Sequence, residues 1–347
     1  MRNATSNLSL SSDLTSDPLI TENAKLNRIL FIPVLSIVIY VLGLLFNGTF
    51  LLVFAKNPTL RTPFNVYIIN LFLGNLGIIL FQFPLTVYHI ATGLPGRPKW
   101  LYNNHICSLF LWANQVMPAC VTACHELIAI TRIWAVLFPV HFRSHHSARL
   151  AIGLSVALWV VVSGFCLIGL AVDAVLFRKL VVPYVCVFNV KAMPIFWGVA
   201  QFLCFVLPEV VVVGSLPIIG VARLSRWQKR RRRIAHGSSS GPTVSVVPRS
   251  VSQQSQSALP VLVALTVSVV ACWTPNLVYT AMTVMRPAVR PTGAFWKAEL
   301  IMFTIQIILD PILFLMALRT LRDGVRSLLS SISSASPYFN ADGRMDC

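Results

Sequence analysis

A chain of 347 residues that is 56% hydrophobic and 11% charged, with mean hydropathy +0.74, is not built like a soluble protein, because soluble domains carry roughly 25% charged residues. The net charge of +17 would suit nucleic acid, but the cations gather in short segments between long apolar blocks, which fits a membrane and excludes a nucleic-acid partner. No glycine-rich phosphate loop, His-Glu-x-x-His or Gly-x-Ser-x-Gly occurs, and His125-Glu126 lacks a second histidine at zinc spacing, so nothing points to an enzyme.

Residues 1–28 are polar and rich in Ser, Asn and Asp, which predicts a disordered tail without a cleavable signal peptide. Asn3-Ala-Thr5 and Asn7-Leu-Ser9 are glycosylation acceptors if that tail is extracellular; Asn47-Gly-Thr49 matches too, but lies inside an apolar block. Seven apolar blocks follow, at approximately 29–55, 64–92, 105–136, 148–172, 192–222, 257–285 and 296–317, each near or above the ~20 residues a bilayer span needs. They predict an all-α integral membrane protein, a seven-transmembrane helix bundle over 29–317.

The first block carries Asn47 and the second Asn70 and Asn75, polar groups that should face other helices; Asn75 suits interhelical hydrogen bonding or an ion equally well. Pro84 is a kink candidate, and Trp100 in the loop 93–104 suits the membrane interface. The third block runs from Cys107 to Arg132. Beyond it His141, His145 and His146 lie in a basic segment that reads as a loop rather than a metal site. Trp159 centres the fourth block, and Cys186 sits in a predicted short hairpin. Pro208 and Pro217 should bend the fifth. Residues 223–256 read as a cytoplasmic loop, polybasic over 223–233, where it would bind anionic inner-leaflet lipids, and flexible beyond. The sixth block holds Cys272-Trp273-Thr274-Pro275 and the seventh Asp310-Pro311-Ile312-Leu313-Phe314. In 318–330, Leu318, Leu321, Val325, Leu328 and Leu329 are expected to oppose Arg319, Arg322 and Arg326, an amphipathic eighth helix; 331–347 is a cytoplasmic tail.

Loops 56–63, 137–147 and 223–256 carry cations and no acid, which places them in the cytoplasm and the N-terminus outside. Cys120, Cys124, Cys166, Cys204 and Cys272 lie inside spans as packing residues, while Cys107 and Cys186 fall where disulfides are permitted. Glu126, Glu209 and Asp310 are the deep acids, with Asp173 and Glu299 near the outer ends; a transporter or channel would use such groups, but no internal repeat of discontinuous helices accompanies them.

In order and spacing, Asn47, the LRTPFN segment, Cys107, Arg132, Trp159, Pro208, CWTP and DPILF resemble rhodopsin-like (class A) G-protein-coupled receptors over roughly residues 29–330. The resemblance implies a plasma-membrane receptor for an extracellular ligand that activates heterotrimeric G proteins. It implies a Cys107–Cys186 disulfide, Arg132 as the G-protein contact, and Trp273 and Pro275 as switch and hinge beneath the ligand, with Asn47, Asn75, Asp310, Pro311 and Phe314 completing the switch.

Departures from the family pattern qualify this reading. Thr131 replaces the usual acid beside Arg132, and Ser255 offers none from the sixth helix, so no ionic lock and raised basal activity are expected. Asn75 and Asp310 exchange the family's Asp and Asn, and Val121 removes a hydroxyl ligand, so no cofactor is expected and a sodium ion is disfavoured. Leu216 and Phe314 replace tyrosines that brace the active state, which leaves room for a weakly signalling scavenger or heteromer partner. Asn114 stands where aminergic receptors carry aspartate, so a monoamine is disfavoured and a peptide preferred over an anionic lipid or small acid. The ligand-facing set is Asn114, Gln115, Pro118, Gln201, Trp273, Asn276, Tyr279 and Phe303, with His89 and Glu299 at the rim; Pro118 is expected to bend the third helix.

Overall fold

The computed structural model describes residues 18–92, 100, 102–178, 186–236, 258–285 and 293–334. Among these, seven long helices follow one another: α1 (Pro18–Lys56), α2 (Pro63–Gly77, continued through Ile78–Gln82 to Phe83–Thr92), α3 (Asn104–Leu137), α4 (Ala148–Val172, extended by Asp173–Phe177), α5 (Pro194–Gln201, Phe202–Val206 and Leu207–His236), α6 (Ala258–Met285) and α7 (Gly293–Ala317). The amphipathic α8 (Arg319–Ser334) turns away from α7 by 102°. Five helices are long and apolar enough to cross a membrane by themselves; in α6 the apolar part is Val263–Tyr279, and in α7 it is Ile301–Ala317.

Two boundaries differ from expectation. Residues 18–28, expected to be disordered, are helical; Glu22, Ala24, Lys25 and Leu26 are good helix formers, and Pro18 suits a first turn. Residues 223–236, expected as loop, continue α5 as helix, because Arg and Lys have high helix propensity. Cys186 lies in irregular chain, and the rest of the expected hairpin falls on residues not described. Asn3, Asn7, Ser255 and the tail beyond Ser334 are also outside the described residues.

Local chemistry sets the ends of the helices. Thr62, Asn103 and Ser147 accept backbone N–H groups from Asn65, Ile106 and Leu150 at 3.3, 2.9 and 3.2 Å, capping α2, α3 and α4. Arg61 donates to the carbonyls of Phe54 and Ala55, and Arg322 to those of Leu315 and Met316, closing the C-terminal ends of α1 and α7. Wide π-type turns sit just before Pro84 and Pro208, where a proline cannot supply the helical N–H. Pro118 lies within an unbroken α3.

α3 is the central helix. It packs against α2, α4 and α5, whereas α7 packs against α1 and α6. Gly74 and Gly77 let α2 approach α3, for a Cβ there would lie 2.9 Å from Val121 and 2.8 Å from the Met117 sulfur. Trp159 of α4 donates to Asn70 Oδ1 at 2.8 Å, and Asn70 donates to Cys124 Sγ at 3.0 Å, so one amide ties α4, α2 and α3 together.

Candidate functional site

At one end of the bundle, Cys107 in the first turn of α3 is bonded to Cys186, with Cα atoms 5.6 Å apart. The segment after α4 is anchored a second time. Buried Asp173 accepts from Arg178 Nε and from the Asn189 N–H at 3.0 and 2.9 Å, and Arg178 also reaches Ser108 Oγ of α3 at 2.6 Å. This anchor is absent from the sequence reading, where Asp173 is only an acid near a helix end.

Below this lies the expected ligand region. Trp273 meets Phe303 edge-on at 5.0 Å and Phe205 at 6.4 Å. A small cavity of about 10 Å³ is lined by Trp273 and Asn276 together with Thr122, His125, Phe205, Pro208, Glu209, Val212, Val269 and Leu277. Asn114, Gln115, Pro118, Gln201, Tyr279 and Phe303 are not among its walls. Asn114, Gln115 and Gln201 are half-buried, Pro118 is buried, and Tyr279 stacks on Phe295 at 6.3 Å. The buried Gln115 Nε2, Trp112 Nε1, Trp197 Nε1 and Trp273 Nε1 have no hydrogen-bond partner. The side chains of His89 and Glu299 are outside the described set.

Two prolines give this region its connections. Pro208 cannot bond the carbonyl of Cys204, which instead accepts from Thr122 Oγ1 of α3 at 2.8 Å. Pro311 cannot bond the carbonyl of Ile307, which accepts from Asn47 Nδ2 of α1 at 3.0 Å. Each unpaired carbonyl is thus taken up by a side chain from another helix, which is how prolines are tolerated inside membrane helices.

Asn47 leads into a fully buried polar cluster. Asn75 Nδ2 donates to Asn47 Oδ1 at 3.2 Å and to Asp310 Oδ2 at 3.1 Å, so the exchanged Asn75 and Asp310 do meet. Gln306 Nε2 donates to Asp310 Oδ1 at 2.5 Å. His125 Nε2 of α3 lies 3.3 Å from Asp310 Oδ2, at ion-pair distance though off the direction of a hydrogen bond. The sequence does signal His125, since an ionisable side chain in an apolar helix is costly and calls for a partner. Three atoms of the cluster, Asn75 Oδ1, Gln306 Oε1 and His125 Nε2, are buried without a hydrogen-bond partner. N–H donors already occupy both Asp310 oxygens, an imidazole stands beside them, and Val121 offers no oxygen. Among the described residues no group of three or more His, Cys, Asp or Glu side chains is placed to hold a metal.

At the other end of α3, the Arg132 guanidinium lies 3.8 Å above the Phe64 ring. Thr131 turns its hydroxyl onto the carbonyls of Leu127 and Ile128 in its own helix. Arg132 and Arg223 line a cavity of about 100 Å³ whose other walls are Phe64, Ile128, Ala135, Val136, Ile219, Leu265, Phe314, Ala317 and Leu318; no acid is among them. Phe314 is buried, edge-on to Phe72 at 5.9 Å. Arg226 donates to the Val136 carbonyl. His141 and His145 stack at 4.1 Å, and His141 accepts from Trp134 Nε1 at 3.0 Å, so these histidines pack against the end of α3.

A bundle crossed by a disulfide-anchored third helix, with a small cavity beside Trp273 in its interior and an arginine-lined cavity at one end, fits the receptor class of seven-helix membrane proteins. The chain belongs to the 7 transmembrane receptor (rhodopsin family), whose profile matches residues 46–314. It is similar to the human proteinase-activated receptor 2, 29% identical over 136 residues, covering 38% of this chain and 32% of that one. The human KiSS-1 receptor is 26% identical over 129 residues, covering 37% and 31%. The Drosophila melanogaster neuropeptide CCHamide-1 receptor is 28% identical over 135 residues, covering 37% and 26%. The chain thus matches about a third or less of the length of these relatives.

Proposed function

We propose that this protein is a plasma-membrane receptor, N-terminus outside, that binds an extracellular peptide and activates heterotrimeric G proteins through the cavity around Arg132. The observation that carries this reading is that cavity: a half-buried guanidinium resting on an aromatic ring, with no carboxylate on the walls. A charge held this way stays available to an incoming partner. The peptide preference is supported by the name of the neuropeptide receptor relative and by the unpaired donors of Gln115, Trp112, Trp197 and Trp273, which suit carbonyl-rich ligands. The exposed Lys229, Arg231 and Arg232 on the extension of α5 would meet anionic lipids, and Asn3 and Asn7 would carry glycans.

Nucleotide exchange by a panel of purified G proteins on the receptor in nanodiscs tests this. Exchange above empty nanodiscs on at least one G protein is expected. Receptor with an intact Cys107–Cys186 bond that drives no exchange on any of them would favour the second reading, a scavenger or heteromer partner, which Leu216 and Phe314 support by lacking the family's hydroxyls.

A further inference from the structure

The acid that the family places beside Arg132 is replaced by Thr131, while a buried imidazole and a buried carboxylate face each other in the central cluster. We propose that His125 and Asp310 supply the missing restraint: they form a latch between α3 and α7 that holds the resting receptor, the imidazole lying against the carboxylate.

Four observations carry this inference. First, α3 packs on α2, α4 and α5 while α7 packs on α1 and α6, so the α3–α7 link at this depth is made by side chains. Second, both partners are shielded, at 5% and 0% exposure, and are 3.3 Å apart. Ionisable groups that deep in a membrane protein are retained where they face each other, and an electrostatic contact is stronger in so poor a dielectric. Third, Pro311 follows Asp310 directly and leaves the Ile307 carbonyl without its helical donor. α7 is therefore weakest as a helix at the latch, and it can shift there once the side-chain contacts part. Fourth, His125 also forms a wall of the cavity beneath Trp273. One imidazole thus touches both the cavity beneath Trp273 and the carboxylate, which makes His125 a positioning residue for activation.

Asp310 keeps two other donors, Asn75 and Gln306, so loss of His125 should loosen the bundle without unfolding it. The experiment compares wild type, His125→Leu, His125→Gln, Asp310→Asn and the His125→Leu/Asp310→Asn double variant in nanodiscs. It reads basal nucleotide exchange, together with an environment-sensitive fluorophore on Ala258→Cys at the start of α6. Only the exchange readout rests on the G-protein reading above. His125→Leu is expected to raise basal exchange roughly fivefold or more, within the usual range for a conformational coupling, and to shift the fluorophore. His125→Gln, which keeps an N–H near the same place, should recover more than half of that change. The double variant should not exceed the larger single. The thermal midpoint of wild type, followed by the reaction of its buried free thiols, should be the same in sodium chloride and choline chloride.

The latch is overturned if His125→Leu leaves the fluorophore unchanged, if the two single effects multiply in the double variant, or if sodium specifically stabilises the wild type. Should His125→Leu fail to fold, Asp310→Asn and His125→Gln carry the same comparison. If no protein drives exchange but the fluorophore still shifts, the coupling reading fails and the latch stands.

Discussion

Replacing Thr122 by valine removes one hydroxyl from the middle of the bundle and little volume. Thr122 is 5% exposed and its hydroxyl has one proton; the shortest of its contacts, 2.8 Å, is to the Cys204 carbonyl, against 2.9 and 3.2 Å to Ala119 and Pro118 in its own helix. Interhelical hydrogen bonds in membranes contribute about 0.6 kcal/mol on average and up to ~1.7. Thr122→Val also leaves a buried acceptor unpaired, which costs ~1–3 kcal/mol, so a loss of about 1–2 kcal/mol is expected, a fall of roughly 2–6 °C in the thermal midpoint. The cause can be isolated. Pro208→Ala restores an N–H that can bond Cys204, so in that background Thr122→Val should cost less than half as much. Thermal unfolding followed by the buried thiols, run as a double-mutant cycle, measures the difference. Equal costs with and without Pro208 would refute the claim that Thr122 serves the carbonyl that the proline leaves unpaired.

Trp159→Phe should destabilise the bundle by ~1 kcal/mol in the same assay, because Asn70 Oδ1 loses its donor while Asn70 still holds Cys124; an unchanged midpoint would remove the α4–α2–α3 tie from the account. Gly169→Ala should cost about 1–3 kcal/mol, since its Cβ would collide with the Phe196 ring, itself stacked on Phe165; Phe196→Ala should then make Gly169→Ala nearly neutral. Burial against Tyr67, Trp134 and Phe142 pushes the His146 imidazole below its usual 6.5, as desolvation disfavours the charged ring. The native state therefore binds fewer protons than the unfolded one between the lowered value and 6.5. The stabilisation is complete above pH 6.5 and is lost as pH falls through that window. The His146 ring-proton resonance should titrate below 6.5 and move up towards it in Trp134→Ala.

Most of the fold was legible because a membrane helix announces itself by length and apolarity. The breaks for α2, α3 and α6 fall within two residues of expectation, at positions set by caps such as Thr62 and Asn103 and by the switch from apolar to polar residues. The ends of α1 and α5 were misplaced for one reason: helix continued beyond the apolar stretch, where hydropathy carries no signal but Glu, Lys and Arg still favour helix. At the site, residues tied to a motif were found, and Asn75 meets Asp310 as their exchange suggested. The roles of His125, Phe64 and Thr122 were not found, because each depends on what stands opposite on another helix. His125 needs Asp310, 185 positions along the chain, and Thr122 matters only because Pro208 leaves Cys204 unpaired. The ligand set was the least legible. Residues on the correct faces of α3, α5 and α7 need not share one cavity, and of the eight only Trp273 and Asn276 line the small one observed.

Arg132 is a cation held ready by Phe64, with no acid among the described residues that line its cavity. Basal nucleotide exchange on the responsive G protein, compared across wild type, Arg132→Ala and Thr131→Asp, measures that directly. Arg132→Ala should abolish exchange, and Thr131→Asp, by placing a carboxylate beside the guanidinium, should lower basal exchange below wild type while leaving the thermal midpoint within a few degrees. Exchange that survives Arg132→Ala, or that is unmoved by Thr131→Asp in a folded receptor, would contradict it.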